Sequence, residues 1–227
     1  YADPTIDEYG VIVKVMANGV CRSDYSMWYS ENPPNVDICG HEMTGIVEEV
    51  GKNIKNFKAG DRVLVPFSGS EGTCPHCLEG NTNLCDSLLA PSGAFNGGYA
   101  EYLSIPLADR NLLHLPEAIS FLDGAALGCR MMTAFHGMID RAEVKTGDKV
   151  AIFGCGGIGL SAINIASNVG ATVIAVDINP ENLELARQMG ANFTINGKEE
   201  NLIEQINDLT GGGVDIAVDA LGNQITA

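Results

Sequence analysis

Apolar and polar positions fall into two rhythms along the chain. Through the first half, short apolar runs are broken by turn residues. "GVIVKVMANGVC" offers an apolar run ending in Asn18-Gly19, a strong turn dipeptide, and "TGIVEEVG" and "DRVLVPF" are further strand candidates. "GGYAEYLSIP", Gly97 to Pro106, alternates in the manner of a half-buried strand. Short strands punctuated by Gly and Pro predict a small barrel or sandwich.

The second half changes period. Ser120, with Asp123 three residues on, resembles a capping box ahead of one helical run, "LDGAALGCRMMTAFHGMI". Beyond "VKTGD" the pattern alternates between strand and helix. "KVAIFG", "TVIAVD", "FTIN" and "VDIAVDA" read as strands, and "GIGLSAINIASNVG", the segment after Asn179-Pro180 and "EENLIEQINDL" read as helices. Asn179 is an N-cap with Pro180 at the first helical position, and Gly190 lies just past the end. Near-continuous apolar strands between amphipathic helices predict a parallel sheet covered on both faces. A doubly wound sheet that binds a dinucleotide has two halves. Only one half and one strand precede Ala227, so a continuation is expected, and a protein of these residues alone is expected to be inactive or poorly folded.

Composition narrows the partners. The 227 residues carry 13 basic and 29 acidic side chains, a net charge of −16. The imbalance comes from few Lys and Arg, since charged residues make up 19%, below a typical value of about 25%. No basic stripe is available to neutralise phosphates, which argues against nucleic acid or an anionic membrane. There is no apolar run of membrane length and no signal peptide in "YADPTIDEYG", so a cytoplasmic location is expected. Seven cysteines in such a chain point to metal ligands or buried thiols before disulfides.

Two local patterns carry chemistry. In "AIFGCGGIGLSA", Gly154, Gly156, Gly157, Ile158 and Gly159 lie between a strand and a helix in the order that cradles a pyrophosphate. Asp177 ends the next strand, 18 residues after Gly159, where a carboxylate bonds a ribose 2′-hydroxyl and repels a 2′-phosphate. That favours NAD over NADP. In "SEGTCPHCLEGNTNLC", Cys74, Cys77 and Cys85 have metal-ligand spacing without a fourth cysteine. The residues alone leave open a zinc site with another ligand, an empty lobe and a redox loop.

"GVCRSD", "CGHEMTGIVEEVG" and "LGCRMMTAF" hold Cys21, His41 and Cys129, separated by 20 and 88 residues, and no spacing rule joins them. Together with the cysteine lobe and the glycine loop, in this order, they resemble the zinc-dependent alcohol dehydrogenases of the medium-chain dehydrogenase/reductase superfamily. The resemblance runs over essentially the whole chain. It implies an α/β protein with a GroES-like β-rich catalytic domain at 1–130, a lobe at 70–86 and a Rossmann domain at 131–227.

The resemblance also implies roles. Cys21, His41 and Cys129 match the catalytic zinc ligands, the two-thiolate, one-imidazole set of alcohol dehydrogenases, which leaves one position for water or substrate. The implied reaction is reversible hydride transfer between a small alcohol and NAD, with the zinc acting as a Lewis acid. Ser23 matches the hydroxyl that takes the alcohol proton, Asp24 the carboxylate that orients His41, and Glu42 a group close to the metal. Arg22 matches a residue near the pyrophosphate and Thr133 one near the nicotinamide, while Phe67 and Trp28 are expected to line the substrate cleft.

Three positions depart from the family pattern. Ser26 stands where a relay histidine often lies. Asn182 stands where a basic residue often meets the adenosine ribose, the nearest arginine being Arg187. Cys74, Cys77 and Cys85 match the last three structural-zinc ligands, and Glu71 falls on the first, with His76 as the rival donor. A polyol or threonine dehydrogenase and a non-catalytic truncated homologue are the alternatives, and a homodimer or homotetramer is implied. The superfamily's zinc-free quinone reductases lack the lobe and the ligands.

Overall fold

Val11, Ile12 and Val13 are buried at the head of β1 (Val11–Asn18), which has hydrogen-bonded strands on both sides. The computed structural model describes residues 2–224 and 226. The chain forms two compact units, Tyr1–Cys129 and Arg130–Ala227.

In the first unit β2 (Met43–Val50), β3 (Arg62–Val65), β4 (Tyr102–Ile105) and β5 (Leu113–His114) join β1 in an antiparallel sheet of order β4-β1-β2-β3-β5. Val13 lies opposite both Val47 and Leu103, so alternate apolar positions of three strands meet on one face. Val11, Val13, Met43, Val47, Val63, Val65, Leu103 and Ile105 form the core there. Each such side chain contributes about 1.5–3 kcal/mol on burial. Short helices α1 (Arg22–Trp28), α2 (Pro75–Leu78) and α3 (Ala108–Asn111) occupy the connections.

The strand expected over Gly97–Pro106 is confined to Tyr102–Ile105. Its leading residues spend their backbone groups elsewhere. The N–H groups of Gly97, Gly98 and Tyr99 donate to the carbonyls of Ile38 (2.6 Å), Gly40 (2.8 Å) and Cys39 (2.8 Å). The approach is close enough to require glycine, since a Cβ on Gly97 would stand 2.3 Å from the Gly40 oxygen.

The single helix expected after Ser120 is also divided. α4 (Phe121–Ala125) is followed by a π turn at Leu127–Met131, then α5 (Met132–Phe135) and a second π turn at His136–Arg141. The Gly128 carbonyl accepts from the Phe67 N–H at 2.9 Å, which diverts it from the helical ladder and widens the first turn. The cap is as expected: Ser120 Oγ accepts from the Asp123 N–H at 3.1 Å and donates to Asp123 Oδ2 at 2.6 Å.

In the second unit β6 (Lys149–Phe153), β7 (Thr172–Asp177), β8 (Phe193–Asn196) and β9 (Ile216–Asp219) form a parallel sheet of order β8-β7-β6-β9. They alternate with α6 (Gly157–Val169), α7 (Pro180–Gln188) and α8 (Leu202–Thr210). Val173 and Ala175 pack into one cluster with Ile152, Ile163 and Ala166, while Ile174 and Val176 pack into another with Ile195 and Ile206. Both sheet faces are therefore covered, which is why β6 and β7 carry uninterrupted apolar runs, Val150–Phe153 and Val173–Val176.

Candidate functional site

Chain pairing brings Cys21 and His41 together. β1 and β2 are antiparallel with Asn18 opposite Met43, so the residues just after β1 face those just before β2. The Gly19 N–H donates to the Glu42 carbonyl (2.7 Å) and the Glu42 N–H to Asn18 Oδ1 (3.2 Å), extending that pairing to the site. β3 continues alongside with Val65 opposite Met43. Gly128, bonded to Phe67 just beyond β3, then delivers Cys129 to the same end of the sheet.

One ligand atom each from Cys21, His41, Glu42 and Cys129 lies within 4.8 Å of the others. His41 and Glu42 are buried, Glu42 completely. Burial first, and then the negative charges of Cys21 and Glu42, push the Cys129 thiol well above its ordinary range. Two thiols, an imidazole and a carboxylate on one centre are the donor types that zinc takes, and the donor set fits that ion.

Asp24 organises the imidazole. Its Oδ1 accepts from His41 Nδ1 at 2.9 Å, which leaves Nε2 as the lone-pair nitrogen turned toward the cluster. Asp24 Oδ2 accepts from the Cys21 backbone N–H at 3.0 Å and from the Tyr99 hydroxyl at 2.8 Å. Because Asp24 lies three residues into the helix that Cys21 opens, the carboxylate that aims His41 also caps α1. Burial first, then the bond to Asp24 and the surrounding negative charge, raise the Tyr99 phenol above its usual range, so it stays a donor. Tyr99 had no local signal in the sequence, where "GGYAEY" reads only as strand.

Ser23 Oγ stands 3.3 Å from His41 Nε2 and donates to Cys21 Sγ at 3.2 Å. Ser26 Oγ is 3.3 Å from the Arg22 carbonyl, to which it donates, as serines inside helices do. The Phe67 ring stands edge-on to His41, with centroids 6.5 Å apart. Trp28 is 62% exposed and, with Tyr25, Tyr29 and Tyr99, lines a cleft of about 860 Å³ whose wall Cys21 and Asp24 reach. His41, Cys129 and Phe67 do not line that cleft, so Trp28 and Phe67 do not share one wall. Arg22 is exposed on α1.

The lobe forms a second cluster, Glu71, Cys74, Cys77 and Cys85, again within 4.8 Å. Cys74 precedes α2, Cys77 lies within it and Cys85 follows a single 3₁₀ turn, Thr82–Leu84. Glu71 Oε2 accepts from the Thr73 hydroxyl (2.5 Å) and N–H (2.9 Å), and Oε1 from the Cys74 N–H (2.7 Å). The Thr73 hydroxyl, foremost, holds the Glu71 carboxyl down at about 2. Cys74 Sγ is 3.9 Å from Cys85 Sγ, so the pair is not a disulfide, and all seven cysteines are free. His76 is outside the cluster. Two backbone hydrogen bonds between Gly69 and Leu89, at 2.8 and 3.0 Å, close the lobe at its neck.

In the second unit the glycine loop joins β6 to α6. Gly154 has φ +91° and Gly156 precedes the helix. A Cβ on Gly159 would meet the Gly154 oxygen at 1.8 Å, so the first turn of α6 sits directly on the loop. Ile158, in the first turn of α6, is exposed, and so is Thr133 on α5. Asp177, at the end of the neighbouring strand, accepts from the Cys155 N–H at 2.7 Å through Oδ2 and from the Asn179 N–H at 2.8 Å through Oδ1. Asn182 Nδ2 donates to Asp177 Oδ2 at 3.3 Å, whereas Arg187 is paired with Glu184 at 3.0 Å. The buried Cys155 thiol is pushed up to about 12 by burial and by the Asp177 charge. Its N–H tie to Asp177 was not legible, because Cys155 lies in the loop after β6 and Asp177 at the end of β7, 22 residues on.

Family comparison agrees with both units. The model of the alcohol dehydrogenase GroES-like domain matches residues 7–117, and that of the zinc-binding dehydrogenase matches residues 157–227. The chain belongs to the zinc-dependent alcohol dehydrogenase family of the medium-chain dehydrogenase/reductase superfamily. It is 37% identical over 213 residues to an alcohol dehydrogenase of Geobacillus stearothermophilus, covering 92% of this chain and 62% of that protein. It is 33% identical over 229 residues to an L-threonine 3-dehydrogenase of Bacillus velezensis, covering 97% and 64%. Among solved structures, alcohol dehydrogenase TADH from Thermus sp. ATN1 superposes with a TM-score of 0.92 at 33% identity, over 100% of this chain and 67% of the other. The chain thus spans about three fifths of the length of the curated relatives it matches.

Proposed function

We propose that the whole protein oxidises a small alcohol to an aldehyde or ketone, reversibly, with NAD as hydride acceptor and a zinc ion held by Cys21, His41 and Cys129. The observation that carries this reading is the convergence of these three donors, with His41 aimed by Asp24 and Ser23 Oγ 3.3 Å from Nε2. Zinc would supply Lewis acidity toward a hydroxyl oxygen and NAD a hydride acceptor.

The chain's own residues supply the rest. Ser23 would hold the substrate hydroxyl and relay its proton, accepting it at Oγ as its own hydroxyl proton passes on toward solvent. Asp24 keeps His41 in the tautomer that ligates, and Glu42 adds a buried carboxylate beside the metal. Phe67 gives the site an apolar wall. The Gly154–Gly159 loop and the α6 N-terminus would cradle the pyrophosphate, with Arg22 near it and Thr133 near the nicotinamide. Asp177 would bind the adenosine ribose and disfavour a 2′-phosphate. The domain roles follow: residues 1–130 are catalytic, the lobe at 70–86 is structural and residues 131–227 bind the nucleotide. Glu71 with Cys74, Cys77 and Cys85 would hold a second, structural zinc. A homodimer or homotetramer working in the cytoplasm completes the reading; no helix among the described residues is long and apolar enough to cross a membrane.

The test uses the protein expressed from its complete reading frame, assayed for zinc per chain and for NAD reduction with alcohols, polyols and threonine. Cys21→Ser, His41→Ala and Cys129→Ser should each lose one zinc and at least about 100-fold in kcat/KM, since loss of an outer partner alone costs about 10–100-fold. Ser23→Ala should keep the zinc and lower kcat by about 100-fold or more. Absence of zinc together with absence of NAD binding would overturn the reading in favour of a non-catalytic homologue. Turnover of threonine or a polyol above simple alcohols would select that substrate class.

A further inference from the structure

We infer that Tyr99 is a positioning residue of the Cys21/His41/Cys129 centre, acting through Asp24; this rests on the metal reading proposed above. The geometry is a three-point hold on one carboxylate. Asp24 Oδ1 accepts from His41, and Oδ2 accepts from both the Cys21 N–H and the Tyr99 hydroxyl, across 75 residues of chain in the last case. Rotation of the carboxylate about its Cβ–Cγ bond breaks all three contacts at once, so each donor limits the arc that His41 can sweep. Of the three, only Tyr99 comes from outside the segments that bear the ligands.

Tyr99 is itself held in register with His41. Its N–H donates to the Cys39 carbonyl at 2.8 Å, and its two preceding neighbours bond to Ile38 and Gly40, the residues that lead into His41. A Cβ on Gly40 (φ +102°) would stand 2.8 Å from the Tyr99 nitrogen. One residue thus ties the backbone entering His41 and the carboxylate behind it. A tyrosine used only for packing would not need the hydroxyl bond to Asp24, and this residue is 43% exposed.

The test reads metal retention in Tyr99→Phe, which keeps the ring and removes the hydroxyl. The complete protein is loaded with ¹¹³Cd, whose NMR signal separates a two-thiolate centre from the three-thiolate lobe. Release from each is followed under excess EDTA. Tyr99→Phe should accelerate release from the two-thiolate centre by about 3–10-fold, below the roughly 10–100-fold for a group bonded directly to a ligand because Tyr99 acts one bond further out, and leave the lobe signal unchanged. In an Asp24→Asn background the same change should add nothing. Unchanged release in Tyr99→Phe, or equal acceleration with Asp24 already replaced, overturns the inference. A wild-type protein with no two-thiolate cadmium signal would instead overturn the metal reading on which it rests.

Discussion

Ser92 is completely buried with φ +69°, a backbone region where a Cβ costs about 1–2 kcal/mol. Its hydroxyl finds no partner among the described residues. Replacing it by glycine removes the steric cost and the unsatisfied oxygen together, against some extra freedom in the unfolded chain. Ser92→Gly should therefore raise the melting temperature by a few degrees, about 1 kcal/mol, and a lower melting temperature would show that the hydroxyl has a use. At this scale the sequence was legible only where a residue sits in a family motif. Cys21, His41 and Cys129 were named through three short strings, and they do converge. Tyr99, the Cys155–Asp177 tie and the conformation of Ser92 escaped, because each depends on a partner far along the chain or on a dihedral angle that composition does not encode.

Helices and strands were legible where one local force dominates. Asn179 caps α7 as expected, its Oδ1 accepting from the Glu181 N–H at 2.9 Å, with Pro180 behind it. Asn179→Ala should cost about 1 kcal/mol, measurable as a lower denaturant midpoint at unchanged slope. No change would mean that Asp177, which bonds the Asn179 N–H, holds this turn alone. The central parallel strands were found because burial on both faces gives them uninterrupted apolar runs, Val150–Phe153 and Val173–Val176. The misread elements are those whose backbone bonds leave the element. Gly97–Tyr99 is drawn off to Ile38–Gly40, and the helix after Ser120 opens at Gly128 because Phe67 takes its carbonyl. Both departures adjoin the Cys21/His41/Glu42/Cys129 cluster, where local preference gives way to positioning.

Over the whole molecule, apolar burial and acidity act separately. Each unit has its own core, which is why the change of rhythm near the middle of the sequence was a usable sign of two units. The excess of acid makes acidic pH a probe of individual carboxylates. The Glu71 carboxyl falls to about 2 from an ordinary 4.5, so its contribution is complete above the ordinary value and fades as pH drops toward 2. Asp219, held low chiefly by the backbone N–H groups of Gly222 and Leu221, has the same sign in the other unit. In metal-free protein, the melting-temperature gap between wild type and Glu71→Gln should be constant from pH 7 to about pH 5 and narrow toward pH 3. A gap independent of pH would show that the carboxylate's charge is not what these bonds read.

The neck of the cysteine lobe has an evolutionary consequence. Gly69 and Leu89 exchange two backbone bonds, so the chain leaves the lobe where it entered. Ser70, just inside the neck, is tied back to Asn111 and Arg110, and the cysteine-bearing part beyond it is carried on that base. On the reading that Glu71 takes the place of a cysteine ligand, a lineage can exchange donors in this excursion while the cluster at the sheet's end is inherited intact.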